Sequence, residues 1–474
     1  MNWYLIVLIS YATLLVGLGL WLGRRVRHTR DFFVAGRALG PGLLFSTVLA
    51  ANIGAGSTVG AAGLGYLNGL SGWWWVGSAG VGTILLAYWI GPRIWRLASD
   101  RGFYTVGDFL EHKYGPAARG VVAVLLWLGT LALLAGQLVA LAMVLDVVVG
   151  IPKAVSCFVG GTVMIIYFAA GGLAGSAWIN VVQLVVLLLG FAVAVPIALS
   201  DVGGIAGLMT RAESVSADYA NFWKGGTSGW IYLPLLVPNF MISPGLLQKV
   251  YGGKDVRAIR RGVGIAAAVL FVFAFAPVIL GMVARLHYPV LDFRELALPT
   301  LLMNDLPLMI GAIALGALFM AEISSADAIL FMLATSLSKD LYKRFVHRAA
   351  SDQQVLKVAR VAAVVGGLAA ILLAIVSESV VDALSIFYTL VGVTIFVPIV
   401  AGLYLRLPGK GPAFAAFAFG IGTTLWAEFL AGGALPETIP ASLVGIVAAA
   451  VGFVAARRLK WNIDGETATE KPRR

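Results

Sequence analysis

Thirteen long apolar blocks follow one another along the chain, and no other feature constrains the fold as tightly. A stretch of about 20 apolar residues spans the hydrocarbon core of a bilayer as a helix. The blocks run approximately over 3–23, 41–68, 72–95, 119–147, 152–171, 177–200, 229–248, 262–284, 306–336, 358–377, 381–405, 411–431 and 438–456. Only 12% of the residues are charged, against about 25% in a soluble domain. Lipid offers no partner to backbone groups, so such blocks must be helices. The expected fold is an all-α polytopic membrane protein with about 13 transmembrane helices. The first block has no basic residues before it and a basic cluster after it, so it reads as a retained span. We call it the leading helix and number the others 1 to 12.

The net charge of +11 is spread in a way that argues against nucleic acid. With the N-terminus outside, 29 of the 34 Lys and Arg fall in inner loops and the C-terminal tail. The positive-inside rule then sets the N-terminus out and the C-terminus in. Basic patches here determine topology in a multi-pass protein of the cell membrane. Cys157 is the sole cysteine, so no intramolecular disulfide forms. No inter-span loop is long enough for a soluble catalytic domain, and no nucleophile–base pair is visible. Neither an enzyme nor a bound cofactor is expected.

Two spans are disrupted. Helix 1 contains "LAANIGAGSTVGAAGLGYLNG", with Gly54, Gly56, Gly60, Gly63, Gly65 and Gly69 beside the polar Asn52. Helix 6, "GWIYLPLLVPNFMISPGLLQKV", contains Pro234, Pro238, Pro244 and Gly245. Proline removes a backbone donor and clashes with the preceding turn. Transporters built from inverted repeats break the corresponding helix of each repeat and bind substrate and ion there. Five spans per repeat place helices 1–5 against 6–10. Glycine-mediated packing or a simple proline kink is the plainer alternative for either helix alone. Unwinding helix 1 frees carbonyl oxygens, which can ligate a hard cation.

Helix 8 reads "LGALFMAEISSADAILFMLATSLSKDLYKRF". Ala321, Ser324 and Ser325 share one face at i, i+3 and i+4. Two hydroxyls and a carbonyl beside a small alanine suit a desolvated alkali cation. Serines in membrane helices also bond to their own helix or across to a neighbour, without any ion.

"MAEISSADAILFMLATSLSKDLYKR" resembles the helix 8 signature of the sodium:solute symporter family. "DFFVAGR", "AANIGAGSTVG", "YTVGDFLEHKYG", "YFAAGGLAGSAWINVVQ" and "LLQKVYGGKDVRAIRRG" resemble further segments of that family, in order, between residues 31 and 344. The resemblance implies an inverted-repeat fold with helices 1 and 6 broken. It also implies a sodium site made of the Ala50, Ile53 and Ala321 carbonyls and the Ser324 and Ser325 hydroxyls.

The sequence departs from that family in two places. At the start of helix 5, where a carboxylate is usual, it has Asn180, and on helix 8 the matching positions are Asp327 and Ala328. A second sodium site of the usual make-up is therefore not expected. Glu322, in mid-helix, is unusual. An intramembrane carboxylate is a functional candidate by default, or else a neutral acid bonded to a neighbouring helix.

The solute pocket is expected between the breaks, lined by Asn52, Gly56, Ser57, Trp75, Asn239, Ser243 and Tyr388. Trp73 to Trp75 also fit an outer aromatic belt. The expected function is sodium-coupled symport of a small organic solute into the cell by alternating access. Sodium, the solute and the lipid bilayer are the partners, and no protein partner is inferable. A proton-coupled symporter and a membrane sensor with a transporter fold are the alternatives. The expected organisation is 1–40 as leading helix and first inner loop, 41–200 and 201–405 as two five-helix repeats, 406–456 as two peripheral helices, and 457–474 as a cytoplasmic tail.

Overall fold

The computed structural model describes residues 3–23, 37–406, 409–430 and 440–461, without the side chains of 15, 16, 18–23, 167–180 and 430. The tail from 462 onward and the segment "DFFVAGR" up to Gly36 lie outside the described residues.

The chain forms α1 (Trp3–Gly23), α2 (Pro41–Asn52), α3 (Val59–Asn68), α4 (Trp73–Leu85), α5 (Gly91–Arg101), α6 (Val106–Tyr114), α7 (Pro116–Val149), α8 (Lys153–Asp201) and α9 (Gly204–Val215). The second half forms α10 (Tyr232–Ile242), α11 (Pro244–Gly252), α12 (Val256–Phe273), α13 (Phe275–His287), α14 (Ala297–Asn304), α15 (Leu308–Thr335), α16 (Asp352–Val376), α17 (Val380–Tyr404), α18 (Lys410–Leu425) and α19 (Ala441–Arg458). A π-helical segment, Ser336–Val346, continues α15.

Among the described residues, seven helical stretches are long and apolar enough to cross a membrane, or eight if the bent pair at helix 1 is one span. The other expected spans are helical as well, but breaks or undescribed residues shorten them. Lys224–Gly225 and Ser228–Gly229 pair as a small antiparallel hairpin in an otherwise mainly helical structure. The expected blocks 152–171 and 177–200 both fall within the helical run α8, and Val181–Asp201 is apolar enough to be a span by itself.

Helix packing follows from residue size. On α16, Ala359, Ala363, Gly366, Gly367, Ala370 and Ala374 are buried, while Val361, Val365, Leu368 and Leu372 are exposed. Small residues let helices approach closely, and the large apolar face is left for lipid. Close approach also explains part of the glycine content of helix 1. A Cβ at Gly65 would lie 2.4 Å from the Val278 carbonyl oxygen, so α3 and α13 pack backbone to backbone.

Both disrupted spans are divided. Helix 1 bends by 76° between Pro41–Asn52 and the segment that follows. Ile53 and Gly54 are extended, and a 3-10 turn over Ala55–Ser57 leads into α3. Helix 6 parts at Ser243 (φ −47°, ψ 122°), where Pro244 opens α11. Proline suits the first position of a helix because its missing N–H would have no partner there.

Candidate functional site

A helix end leaves carbonyls and N–H groups without intrahelical partners. In an unbroken helix the Gly54 N–H would reach back to the Ala50 carbonyl. Here it donates instead to Ser57 Oγ at 3.0 Å. The freed Ala50 carbonyl lies 3.1 Å from Ser325 Oγ, and the Ile53 carbonyl lies 2.8 Å from the same atom. Three of the five expected sodium ligands thus meet at one point. Ala321 and Ser324 are buried on the same helix. Gly54 makes the meeting possible, since a Cβ there would lie 2.3 Å from Ser325 Oγ.

Two further side chains hold the break. Gln137, on α7, accepts a hydrogen bond from the Ala55 N–H at 2.9 Å. Thr58 Oγ1 lies 2.9 Å from the Gly54 carbonyl oxygen and 2.7 Å from Glu322 Oε1. The threonine hydroxyl has one hydrogen. The Gly54 carbonyl also accepts from the Thr58 N–H at 3.0 Å and from Ser57 Oγ at 3.1 Å, which leaves the Thr58 hydroxyl hydrogen for Glu322 Oε1. Glu322 is fully buried, and among the described residues its Oε2 has no hydrogen-bond partner. Its carboxyl contacts helix 1 and is not among the oxygens around Ser325.

One cavity lies between the two breaks. Of the expected solute residues, Asn52, Gly56, Ser57, Trp75, Ser243 and Tyr388 line it, and so do Gln137, Phe240 and Phe387. Asn239 does not. Its amide donates to the Leu235 carbonyl of its own helix at 2.6 Å and packs on the Gly392 side. Among the described residues, no Asp, Glu, Lys or Arg lines the cavity. Its aromatic rings form a cluster: Tyr388 lies 5.5 Å from Phe240, 5.6 Å from Phe387 and 6.1 Å from Trp75. Trp73 and Trp74 pack against Phe222 instead and are not a lipid-facing belt. Ser325 and Gly54 line the cavity too, so the oxygen cluster forms part of its wall.

The structure adds a polar cluster that residue-by-residue reading missed. Arg119 on α7 is nearly buried and pairs with Asp340 at 2.6 Å, Glu111 at 2.8 Å and Asp108 at 2.9 Å. Arg344 pairs with Glu111 at 2.6 Å. Burial opposes ionisation of Glu111, but hydrogen bonds and charge from Arg119 and Arg344 outweigh it and hold that carboxyl below its ordinary range. The cluster ties α6 and α7 to the π-helical end of helix 8.

Residues 32–420 match the sodium:solute symporter family. The chain belongs to that family. Similar proteins include a sodium/glucose cotransporter of Vibrio parahaemolyticus, 25% identical over 78% of this chain and 74% of that one. A high-affinity choline transporter 1 of Caenorhabditis elegans is 24% identical over 88% and 76%. A high-affinity proline transporter of Bacillus subtilis (strain 168) is 22% identical over 90% and 94%. The fold is similar to a substrate-bound, outward-open Na+-coupled sialic acid symporter, with a TM-score of 0.83 at 20% identity over 97% of this chain and 98% of that one. This symporter-family chain is a multi-pass membrane protein. Its relatives are transporters and not enzymes, and family and fold support sodium-coupled solute transport.

Proposed function

We propose that the chain carries a small organic solute into the cell together with sodium, by alternating access. The observation that carries this reading is Ser325 Oγ beside the Ala50 and Ile53 carbonyls, in the wall of the solute cavity. Ala321, Ser324 and Ser325 with the two helix 1 carbonyls would form the ion site, and Asn52, Gly56, Ser57, Trp75, Ser243 and Tyr388 the solute site. Sodium would tie helix 1 to helix 8 and so shape the cavity. Coupling of this kind is reciprocal, so solute would strengthen sodium binding equally.

The uncharged aromatic wall favours a neutral, zwitterionic or cationic solute over an anion. An ammonium head gains from aromatic faces, as the choline-transporting relatives suggest for comparison. Thermal unfolding of the purified chain with choline, proline, glucose or lactate, with and without sodium, tests this. A native-state ligand raises the melting temperature. A rise for one solute that needs sodium is the expected result, and a sodium-independent rise would count against coupling.

The finer architecture is part of the same proposal. Thirteen spans, five-helix repeats over 41–200 and 201–405, N-terminus out and C-terminus in follow from the apolar blocks and the distribution of Lys and Arg. A proton-coupled reading has one observation in its favour, the buried Glu322 carboxyl against Thr58 on helix 1. Uptake driven by a pH gradient in sodium-free medium would select it.

A further inference from the structure

An apolar groove lies between α17 and α19, away from the solute cavity. Phe396, Val397, Val400, Phe453 and Val454 form its walls, and Tyr404, Arg457 and Arg458 also line it. Toward lipid, apolar walls need no cover. The arginines are different, because guanidinium groups beside an apolar groove call for an anion. Among the described residues neither Arg457 nor Arg458 pairs with a carboxylate, and both are exposed. A third guanidinium, Arg93, stands 4.1 Å over the Tyr404 ring. The Trp89 ring lies 5.8 Å from the same tyrosine. Indole and phenol side chains are the usual anchors at a membrane interface.

The position of these groups along the helices is decisive. Tyr404 is the last residue of α17, and Arg457 and Arg458 close α19. The charged part of the groove is therefore at the C-terminal ends of both helices. In the orientation proposed above, on which this inference rests, that end faces the cytoplasm. Anionic lipids face that side, and basic pockets between transmembrane helices there hold their head groups.

We propose that this groove binds one anionic phospholipid of the inner leaflet. An acyl chain lies along Phe396, Val400 and Phe453, and the phosphate is held by Arg457 and Arg458 with Arg93 beside it. Guanidinium groups match phosphate through paired N–H donors. The lipid bridges a peripheral helix to α17, which carries Leu384, Phe387 and Tyr388 of the solute cavity. The lipid thereby braces the helix that forms one wall of the solute site.

Native mass spectrometry of the full chain in sodium-free detergent tests this. Phosphatidylglycerol and phosphatidylcholine with identical acyl chains are the probes. Wild type should retain phosphatidylglycerol about tenfold more than phosphatidylcholine, and R457Q/R458Q should lose that preference. V400W, which fills the groove and leaves the arginines intact, should lose retained lipid. Equal retention of the two lipids would overturn the proposal, as would wild-type retention in R457Q/R458Q or V400W. Displacement of the lipid by millimolar glycerol phosphate would mark a soluble-phosphate site and overturn it too. Ser325→Ala should bind lipid like wild type, so a failed sodium site and a failed lipid site give different results. Labelling a cysteine introduced in the tail reports the orientation separately.

Discussion

Glu322 Oε1 lies 2.7 Å from the hydroxyl of Thr58, so helix 8 grips helix 1 just beyond its break as well as at Ser325. One grip is on Ala50 and Ile53 at the break, and the other is on Thr58 after it. One is a hydroxyl against two carbonyls, and the other is a carboxyl accepting from a hydroxyl.

Glu322→Gln keeps the shape and an oxygen that can accept from Thr58, and should retain sodium-dependent uptake with little change. Glu322→Ala and Thr58→Val each leave a buried polar group without its partner, at a cost of about 1–3 kcal/mol. Both should melt at lower temperature and show weaker sodium activation. Melting curves and uptake against sodium concentration check this, and an inactive, well-folded Glu322→Gln would sink it.

Ser325→Ala should raise the sodium concentration for half-maximal uptake about tenfold, equivalent to roughly 1.4 kcal/mol. Ser324→Ala should act in the same direction and more weakly. Both should still fold, although Ser325→Ala takes a donor from the buried Ala50 and Ile53 carbonyls and should melt somewhat lower. Unchanged sodium activation in Ser325→Ala would remove the site from consideration.

Gly54→Ala places a methyl 2.3 Å from Ser325 Oγ and 2.8 Å from Gln137 Oε1. Helix 8 must then move away from helix 1. Sodium stimulation of solute binding should be lost, as read by calorimetric titration of solute with and without the ion. Normal stimulation would mean that the break tolerates a wider gap.

Glu111 supplies a pH test outside the membrane. Its folded carboxyl titrates below the ordinary range, so its contribution to stability is complete above that range. The contribution is lost as pH falls through the folded value. Melting temperature should drop on acidification. Glu111→Gln should begin lower at neutral pH and flatten the acid limb. Parallel acid limbs for the two proteins would contradict this.

One sodium should accompany each solute, since Ala328 presents a methyl to the cavity where a further hydroxyl would be needed. Asn180, the other departure behind this expectation, has a side chain outside those described. Reversal potentials in proteoliposomes give the charge carried per solute. Two charges per neutral solute would show that another ion site exists.

Both breaks were legible because proline and glycine act locally, and an apolar block announces a span without reference to its neighbours. The contact of Ser325 with the helix 1 carbonyls was legible through spacing and resemblance together. Gln137 was not, because a single amide in an apolar helix carries no sign of what it faces. Arg119 was counted as an inner-loop charge, yet it is nearly buried among three carboxylates that come from distant parts of the chain. Asn239 seemed well placed beside the second break, but its amide turns back on its own helix. Which way a polar side chain turns within a bundle depends on packing that no local pattern encodes.

The distances of 2.8 and 3.1 Å at Ser325 mean that its hydroxyl hydrogen already occupies the gap between helices 1 and 8. If the site proposed above holds sodium, the protein carries its own competitor for the ion. An entering cation would then displace an internal hydrogen bond with a net value of about 1 kcal/mol. That would lower affinity several-fold and favour release of the ion where sodium is scarce. A perfectly vacant cage would bind more tightly and let go more slowly.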